Sequence, residues 1–129
     1  MSQLKLILLP GRLAVAQLPH DAPIPRQKIP GEELFAYVST SDEVSLVCAE
    51  LDIPPGARVE LGWRALKVAG PLDFTLVGVL AGLAVPLSQA QISIFALSTY
   101  NTDYLLLKET SLIAGVEALR GAGFQVEMG

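Results

Sequence analysis

The polar groups best placed to do chemistry in this sequence lie in one short stretch, Thr99 to Asp103, between two apolar runs. This stretch supplies hydroxyl, amide and carboxylate groups, and the Asp103 carboxylate can accept charge-assisted hydrogen bonds from an ammonium group. Asn101 and Asp103 are also common in tight turns, because their side chains bond the local backbone. From the residues alone, the stretch is either part of a ligand site or a turn that joins two strands.

Catalytic chemistry has no comparable candidate. His20 and Cys48 are the only histidine and the only cysteine, and they fall in a proline-rich stretch and in an apolar run. They do not make a convincing base and nucleophile. The sequence has no glycine-rich phosphate loop and no closely spaced set of histidines and carboxylates for a metal. We therefore expect no enzyme activity, no catalytic residue, no cofactor and no metal.

Composition predicts a folded globular protein and excludes one class of partner. The chain has 129 residues, 51% of them hydrophobic and 17% charged, enough for one ordinary domain or for two small units that share a core. Its net charge is −4, and its Lys and Arg residues are not clustered. Because a nucleic-acid-binding surface needs a basic patch, we expect no nucleic-acid partner.

Two apolar stretches raise the question of a membrane. The run Leu6 to Leu9 is too short for a signal peptide and reads as a strand. The segment Phe74 to Thr102 carries no charged residue, but Pro86 and the polar residues after it interrupt the apolar run, which is then nearer a buried helix than a bilayer span. A single cysteine among apolar positions suits a reduced thiol. We expect a cytoplasmic protein with no membrane partner.

The sequence contains an internal repeat. A shift of 59 positions lays Val38-Ser39-Thr40 on Leu97-Ser98-Thr99, and Leu46 to Glu50 on Leu105 to Glu109. This pattern predicts two versions of one unit, residues 1–62 and residues 63–129. In the first version, prolines interrupt both places where a helix would be expected, so we interpret it as a degenerate, helix-poor copy.

The second version predicts a complete α+β unit. Its first helix spans Phe74 to Leu87, with Asp73 as the N-cap and Pro86 as the stop. Gly78 and Gly82 would share one face of this helix and allow close packing. The predicted elements follow the order strand, helix, strand, strand, helix, strand, which is the ferredoxin-like βαββαβ arrangement of a four-stranded antiparallel sheet with two helices on one face. The remaining elements are strands Trp63–Val68, Ile92–Ser98, Tyr104–Lys108 and Phe124–Met128, and a helix with Leu112, Ile113, Val116 and Leu119 at helical spacing that stops at Gly121 or Gly123.

The first version predicts strands only. They are Leu4–Leu9, Leu13–Leu18, the hairpin of Leu34–Val38 and Val44–Ala49, and a short strand Arg58–Leu61.

Specific residues of the second version carry a family resemblance. They are Gly62-Trp63-Arg64, the run Val68 to Phe74, Gly78, and above all Ser98-Thr99-Tyr100-Asn101-Thr102-Asp103-Tyr104. With these residues the chain resembles the small bacterial tandem ACT-domain proteins, which are similar to the ACT modules of aspartokinase and of the cytosolic arginine sensor. The match runs from about Phe35 to the end of the chain.

This resemblance implies a regulatory sensor, a homodimer that holds a free amino acid at an interface between ACT units. Backbone N–H groups of Leu72, Asp73 and Phe74 would bind the carboxylate of the ligand, as helix N-termini bind anions. Its ammonium group would meet Thr99, Tyr100, Asn101 and Asp103. The alternative is a ligand-free structural or protein-interaction module of the ACT fold, which would use an exposed sheet edge or the Gly78/Gly82 face.

Overall fold

The computed structural model describes residues 4–22, 34–70, 72 and 77–129. The chain divides into two compact units. The first unit is Gly11–Trp63, and the second unit combines Met1–Pro10 with Arg64–Gly129. The sequence placed residues 1–10 in the first unit, but they belong to the second, because their strand pairs with strands from the C-terminal half of the chain.

The described residues form eight strands and two α-helices. The strands are β1 Lys5–Leu8, β2 Leu13–Leu18, β3 Ala36–Ser39, β4 Val44–Ala49, β5 Arg58–Val68, β6 Phe95–Ser98, β7 Asp103–Lys108 and β8 Gln125–Met128. The helices are α1 Val79–Gln89 and α2 Leu112–Gly121, and two 3-10 turns span Glu50–Asp52 and Glu109–Ser111. No helix in the described part of the chain is long and apolar enough to cross a bilayer.

The second unit confirms the predicted α+β order as β5-α1-β6-β7-α2-β8. Its sheet has the strand order β6-β7-β5-β1-β8, so β1 enters between the first and the last strand of the predicted fold. Leu6 of β1 lies opposite Val68 in the antiparallel pair with β5 and opposite Val126 in the parallel pair with β8. The four-stranded sheet expected from the sequence therefore gains a strand from the N-terminus.

One apolar core joins the sheet of the second unit to both helices. Leu83 and Leu87 of α1 and Leu119 of α2 are completely buried. They pack with side chains from one face of the sheet, namely Leu6, Leu8, Leu66, Val68, Leu105, Leu107 and Val126. Because the buried residues of both helices enter this cluster, both helices cover the same face of the sheet, as in the predicted fold.

The start of α1 differs from the prediction. Gly78, with φ +80°, precedes the helix as its N-cap, so Asp73 is not the cap, and Asp73 and Phe74 lie outside the described residues. Pro86 lies inside the helix, which continues to Gln89. The fully buried Leu87 explains this continuation, because its packing favours a helical turn despite the N–H that proline lacks.

Two predictions about helix faces were wrong. Gly78 precedes α1 as its N-cap, so Gly78 and Gly82 do not share a face of the helix, and Gly82 does not pack closely on the sheet of its own unit. The close approach occurs instead at Gly115 of α2, where an added Cβ would lie 2.6 Å from Cδ1 of Leu107. Ile113, expected on the buried stripe of α2, is 77% exposed.

The first unit has no α-helix among its described residues. Its strands follow the order β3-β4-β2-β5, with residues 58–63 of β5 at the edge. Where α2 follows β7 in the second unit, β4 is followed by a 3-10 turn and the sequence Pro54-Pro55-Gly56. The buried side chains of Leu46 and Cys48 are covered by irregular segments that contain Phe35, Ile53 and Ala57.

The internal repeat appears directly in the element bounds. β3 and β6, β4 and β7, and the two 3-10 turns are each offset by 59 residues at both ends. Both hairpins pair in the same register, with Ser39 opposite Val44 and Ser98 opposite Asp103. The two predicted strands Arg58–Leu61 and Trp63–Val68 are a single strand, β5, which passes through Gly62 with φ +82°.

Candidate functional site

The polar stretch Thr99 to Asp103 contains the turn between β6 and β7. We call this turn, Thr99–Thr102, the second turn. The backbone N–H of Thr99 donates to the carbonyl oxygen of Thr102 at 2.8 Å. The Thr99 hydroxyl donates to the same carbonyl at 3.2 Å and accepts the N–H of Thr102 at 3.3 Å. These hydrogen bonds are the local turn chemistry that Thr side chains favour. They close the turn and leave the residues at its tip exposed.

Two further hydrogen bonds tie the second turn to the segment that follows β5. We call them the loop contact. The backbone N–H of Leu72 donates to the carbonyl oxygen of Asn101 at 2.7 Å, and the hydroxyl of Thr102 donates to the carbonyl oxygen of Val68 at 2.6 Å. Thr102 is 5% exposed, and among the described residues it is the one polar residue in the buried class. The loop contact therefore holds Val68, at the end of β5, and Leu72 against the turn.

Gly70 makes the loop contact sterically possible. A Cβ atom at this position would lie 3.2 Å from the backbone nitrogen of Leu72 and 3.2 Å from Cβ of Thr102. It would also lie 3.3 Å from the carbonyl oxygen of Asn101. These distances are shorter than ordinary van der Waals contacts, and two of the three atoms belong to the backbone. The absence of a side chain at Gly70 lets the two segments meet.

Asp103 is the acidic group of the site. It is half-buried at the start of β7, and its Oδ1 accepts a hydrogen bond from the Ser98 hydroxyl at 2.6 Å. Ser98 and Asp103 are cross-strand neighbours, so the bond orients the carboxylate without bending the backbone. An ionised acceptor makes this bond short and strong. Among the described residues, Asp103 Oδ2 has no hydrogen-bond partner.

The structure brings together some of the residues that the sequence selected. Leu72 lies beside Asn101, and Thr99, Tyr100 and Asp103 share the same hairpin end. The N–H of Leu72 is already bonded to Asn101 and partly buried Leu72 packs against the core of the unit. Tyr100 is 81% exposed. The described residues contain no cluster of His, Cys, Asp and Glu that could hold a metal.

The sequence motifs included Gly70, Ser98 and Thr102, but sequence reasoning gave these residues no role in the site. Ser98 could have been found from the hairpin register, because closing the turn at Thr99 and Thr102 places Ser98 opposite Asp103. Thr102 and Gly70 have no such local signal. Their partners lie about thirty residues away along the chain, as the bond between Thr102 and Val68 shows.

These features coincide with a known domain. Residues 58–121 match the family model of the ACT domain. Together with the α+β fold of the second unit, this match shows that the chain belongs to the ACT-domain family.

Particular relatives support the assignment over different lengths. The human cytosolic arginine sensor for mTORC1 subunit 1 is 37% identical over 59 residues, which are 45% of this chain and 18% of that protein. The match therefore spans less than a fifth of the relative. Atu0741 from Agobacterium tumefaciens, a solved structure, is 32% identical, with a TM-score of 0.89 over 100% of this chain and 96% of that one.

The whole chain also shares its fold with a regulatory protein. The ligand-free regulatory subunit of aspartate kinase from Thermus thermophilus has a TM-score of 0.60 at 10% identity, over 94% of this chain and 97% of that chain. Identity this low shows a common fold alone. The ACT-domain match and the similarity to the arginine sensor support a regulatory role for this protein.

Proposed function

We propose that this protein is a non-enzymatic regulatory sensor that binds a free amino acid at the second turn. The observation that supports the proposal is the Asp103 carboxylate, which Ser98 orients at 2.6 Å next to a turn that is tied to Leu72. A fixed carboxylate beside exposed hydroxyl and amide groups suits an ammonium group, which donates three hydrogen bonds and accepts none.

In this proposal Asp103 carries the charge of the ammonium site, and Thr99, Tyr100 and Asn101 complete it. Ser98 already occupies Asp103 Oδ1, so the ligand meets Oδ2. Charge-assisted hydrogen bonds are about twice as strong as neutral ones. Asp103 should therefore dominate the affinity for the ammonium group.

The carboxylate of the ligand requires backbone donors on the other side of the site. Leu72 contributes by position only, because its N–H is bonded to Asn101 at 2.7 Å. We assign the carboxylate to the N–H groups of Asp73 and Phe74, and to the first turn of α1. The N-cap of α1, Gly78, offers no side-chain hydrogen bond to this turn, and the helix dipole favours an anion at its N-terminus.

The ligand site is completed, in the same proposal, by an ACT unit of a second copy in a homodimer. Strand β6 is a sheet edge with the sequence Phe-Ala-Leu-Ser, which has no charge and no proline. The opposite edge, β8, carries Glu127. Charged residues protect edges against pairing, so β6 is the better edge for a partner. Antiparallel pairing of β6 with its own copy gives a two-fold dimer.

A thermal-shift panel of the free proteinogenic amino acids tests the proposal. We expect at least one of them to raise the melting temperature, because a ligand at about 100 times its Kd adds about 2.7 kcal/mol to the free energy of unfolding. Asp103→Ala should lower the affinity for that amino acid. Sedimentation velocity should show a dimer. A flat response to the whole panel at millimolar concentration would contradict amino-acid binding.

The second candidate function is a ligand-free structural or protein-interaction module. The uncharged β6 edge supports it as well, since an edge of this kind can accept a strand from another protein. A flat thermal-shift panel, together with a β6 edge that becomes protected from amide exchange in the presence of a partner protein, would favour this function over the sensor.

A further inference from the structure

The turn at the proposed ligand site has a counterpart in the first unit. We call it the first turn, Thr40–Glu43, between β3 and β4. The N–H of Thr40 donates to the carbonyl oxygen of Glu43 at 2.9 Å, and the Thr40 hydroxyl donates to the same carbonyl at 3.3 Å and accepts the N–H of Glu43 at 3.1 Å. The second turn makes the same three bonds between Thr99 and Thr102. The backbone of the turn is therefore duplicated, together with the flanking strands.

The first turn contains the carboxylates of Asp42 and Glu43, but it has none at the position equivalent to Asp103. The shift of 59 residues places Val44 where the second unit has Asp103. Val44 is 4% exposed and packs in the apolar cluster of the first unit with Leu46 and Cys48. A carboxylate at this position would be buried among aliphatic side chains. The first turn thus has no group in this position to meet an ammonium group.

The buried hydroxyl of the site is also replaced. Glu43 stands where the second unit has Thr102, and its side chain is exposed. The Glu43 carboxylate accepts hydrogen bonds from Nε2 of Gln17 at 3.4 Å and from the Ser45 hydroxyl at 3.2 Å. Thr102 instead bonds the backbone of Val68 from a buried position. The Glu43 side chain therefore bonds side chains of β2 and β4 and, unlike Thr102, makes no buried hydrogen bond to the backbone of another segment.

We propose that only the second of the two repeated turns is a ligand seat, so that each chain binds one amino acid and the first turn is structural. The inference rests on the proposed function. It adds the number of sites and the reason for it. Duplication copied the turn, and the differences at positions 44 and 43 leave the copy without a carboxylate at the Asp103 position and without the buried loop contact.

Isothermal titration calorimetry on the full chain measures the number of sites and the affinity together. The probe is the proteinogenic L-amino acid that gives the largest thermal shift in the panel. We expect one equivalent per chain. Asp103→Asn should weaken binding by about tenfold or more, since it removes the charge of the acceptor. Glu43→Gln should leave the affinity within about twofold, because the Glu43 carboxylate bonds Gln17 and Ser45 of the first unit and has no role in the second turn.

A matched pair of threonine variants controls for folding. Thr99→Val removes a hydroxyl from the second turn, and Thr40→Val removes the equivalent hydroxyl from the first turn, so both should lower the stability of the protein to a similar extent. Thr99→Val should also weaken binding, by about fivefold, whereas Thr40→Val should not. This difference keeps the test valid even if Asp103→Asn does not fold.

The outcomes separate the inference from the function beneath it. Two equivalents per chain would overturn the single seat while amino-acid binding stands. The same holds if Glu43→Gln lowers the affinity as much as Asp103→Asn does, or if Thr40→Val lowers it as much as Thr99→Val does. Failure of every amino acid to bind the wild-type chain would overturn both. One equivalent that is sensitive to Asp103 and Thr99 alone supports the inference.

Discussion

Replacing Thr102 by Val tests the loop contact that shapes the candidate site. The two side chains have nearly the same shape, but Val lacks the hydroxyl that donates to the carbonyl oxygen of Val68 at 2.6 Å. The carbonyl of Val68 points away from β1. The N–H of Leu9 donates to the carbonyl of Ala65, and the N–H of Ala69 donates to the carbonyl of Lys5, so every second residue counted from Ala65 bonds to β1 and Val68 falls between them. The Thr102 hydroxyl thus donates to a carbonyl that a backbone N–H of a neighbouring strand would otherwise pair with.

The structure predicts the sign and the size of the effect. With the hydroxyl removed, the Val68 carbonyl loses its donor next to a residue that is 5% exposed, and an unsatisfied buried acceptor costs about 1–3 kcal/mol. Burial of apolar surface argues the opposite sign, because Val is the more apolar side chain at a buried position. We expect the lost hydrogen bond to dominate and Thr102→Val to lower the free energy of unfolding by about 1–3 kcal/mol.

Urea unfolding measures this change as a lower midpoint at an unchanged m-value. Thr102→Ser is the control, because it keeps the donor and removes one methyl group, at a cost of about 0.5–1.5 kcal/mol. Amide exchange at Leu72, whose N–H donates to Asn101, should accelerate more in the Val variant than in the Ser variant. A Val variant as stable as the wild-type protein would refute the assignment of Thr102 as the residue that holds the loop.

Two other predictions concern stability away from the turn and use the same denaturation assay. Gly115→Ala should lower the free energy of unfolding by about 1–2 kcal/mol, because its Cβ would lie 2.6 Å from a methyl group of buried Leu107. Gly121→Ala, with no atom within 4 Å of the new Cβ, should be neutral or stabilising. Equal changes in stability for the two variants would exclude the close approach at Gly115. Glu50→Ala should cost about 1.5–3 kcal/mol, because the Glu50 carboxylate accepts a backbone N–H at 2.7 Å in a partly buried setting. Lys5→Ala, at an exposed ion pair of 3.5 Å, should cost at most about 1 kcal/mol, and the reverse order would contradict this explanation.

Local patterns predicted most of the second unit. The periodicity of Val116 and Leu119 located α2, and both residues are buried. The repeat of 59 positions located both hairpins, and the structure shows that it extends to the two 3-10 turns. These features depend on the spacing of apolar residues and on turn chemistry between near neighbours, which are visible in the sequence.

The start of α1 shows where local reasoning failed. Asp73 is a good N-cap by type, and Pro86 is a good stop. The helix begins instead after Gly78 and passes through Pro86, because Leu83 and Leu87 must reach the core. Packing within the unit chose the helical segment, so the helix N-terminus lies at Val79 and not at Phe74.

The sequence by itself determined the repeat, the α+β class and the polar turn with Asp103, since each follows from residues that are close along the chain. Only the tertiary structure decided that β1 enters the sheet between β5 and β8, that Gly115 and Leu107 touch, and that Thr102 bonds to Val68. The physical reason is the same in each case. A strand partner, a close approach and a buried hydrogen bond are fixed by the complementarity of distant segments, which becomes defined when the core is packed.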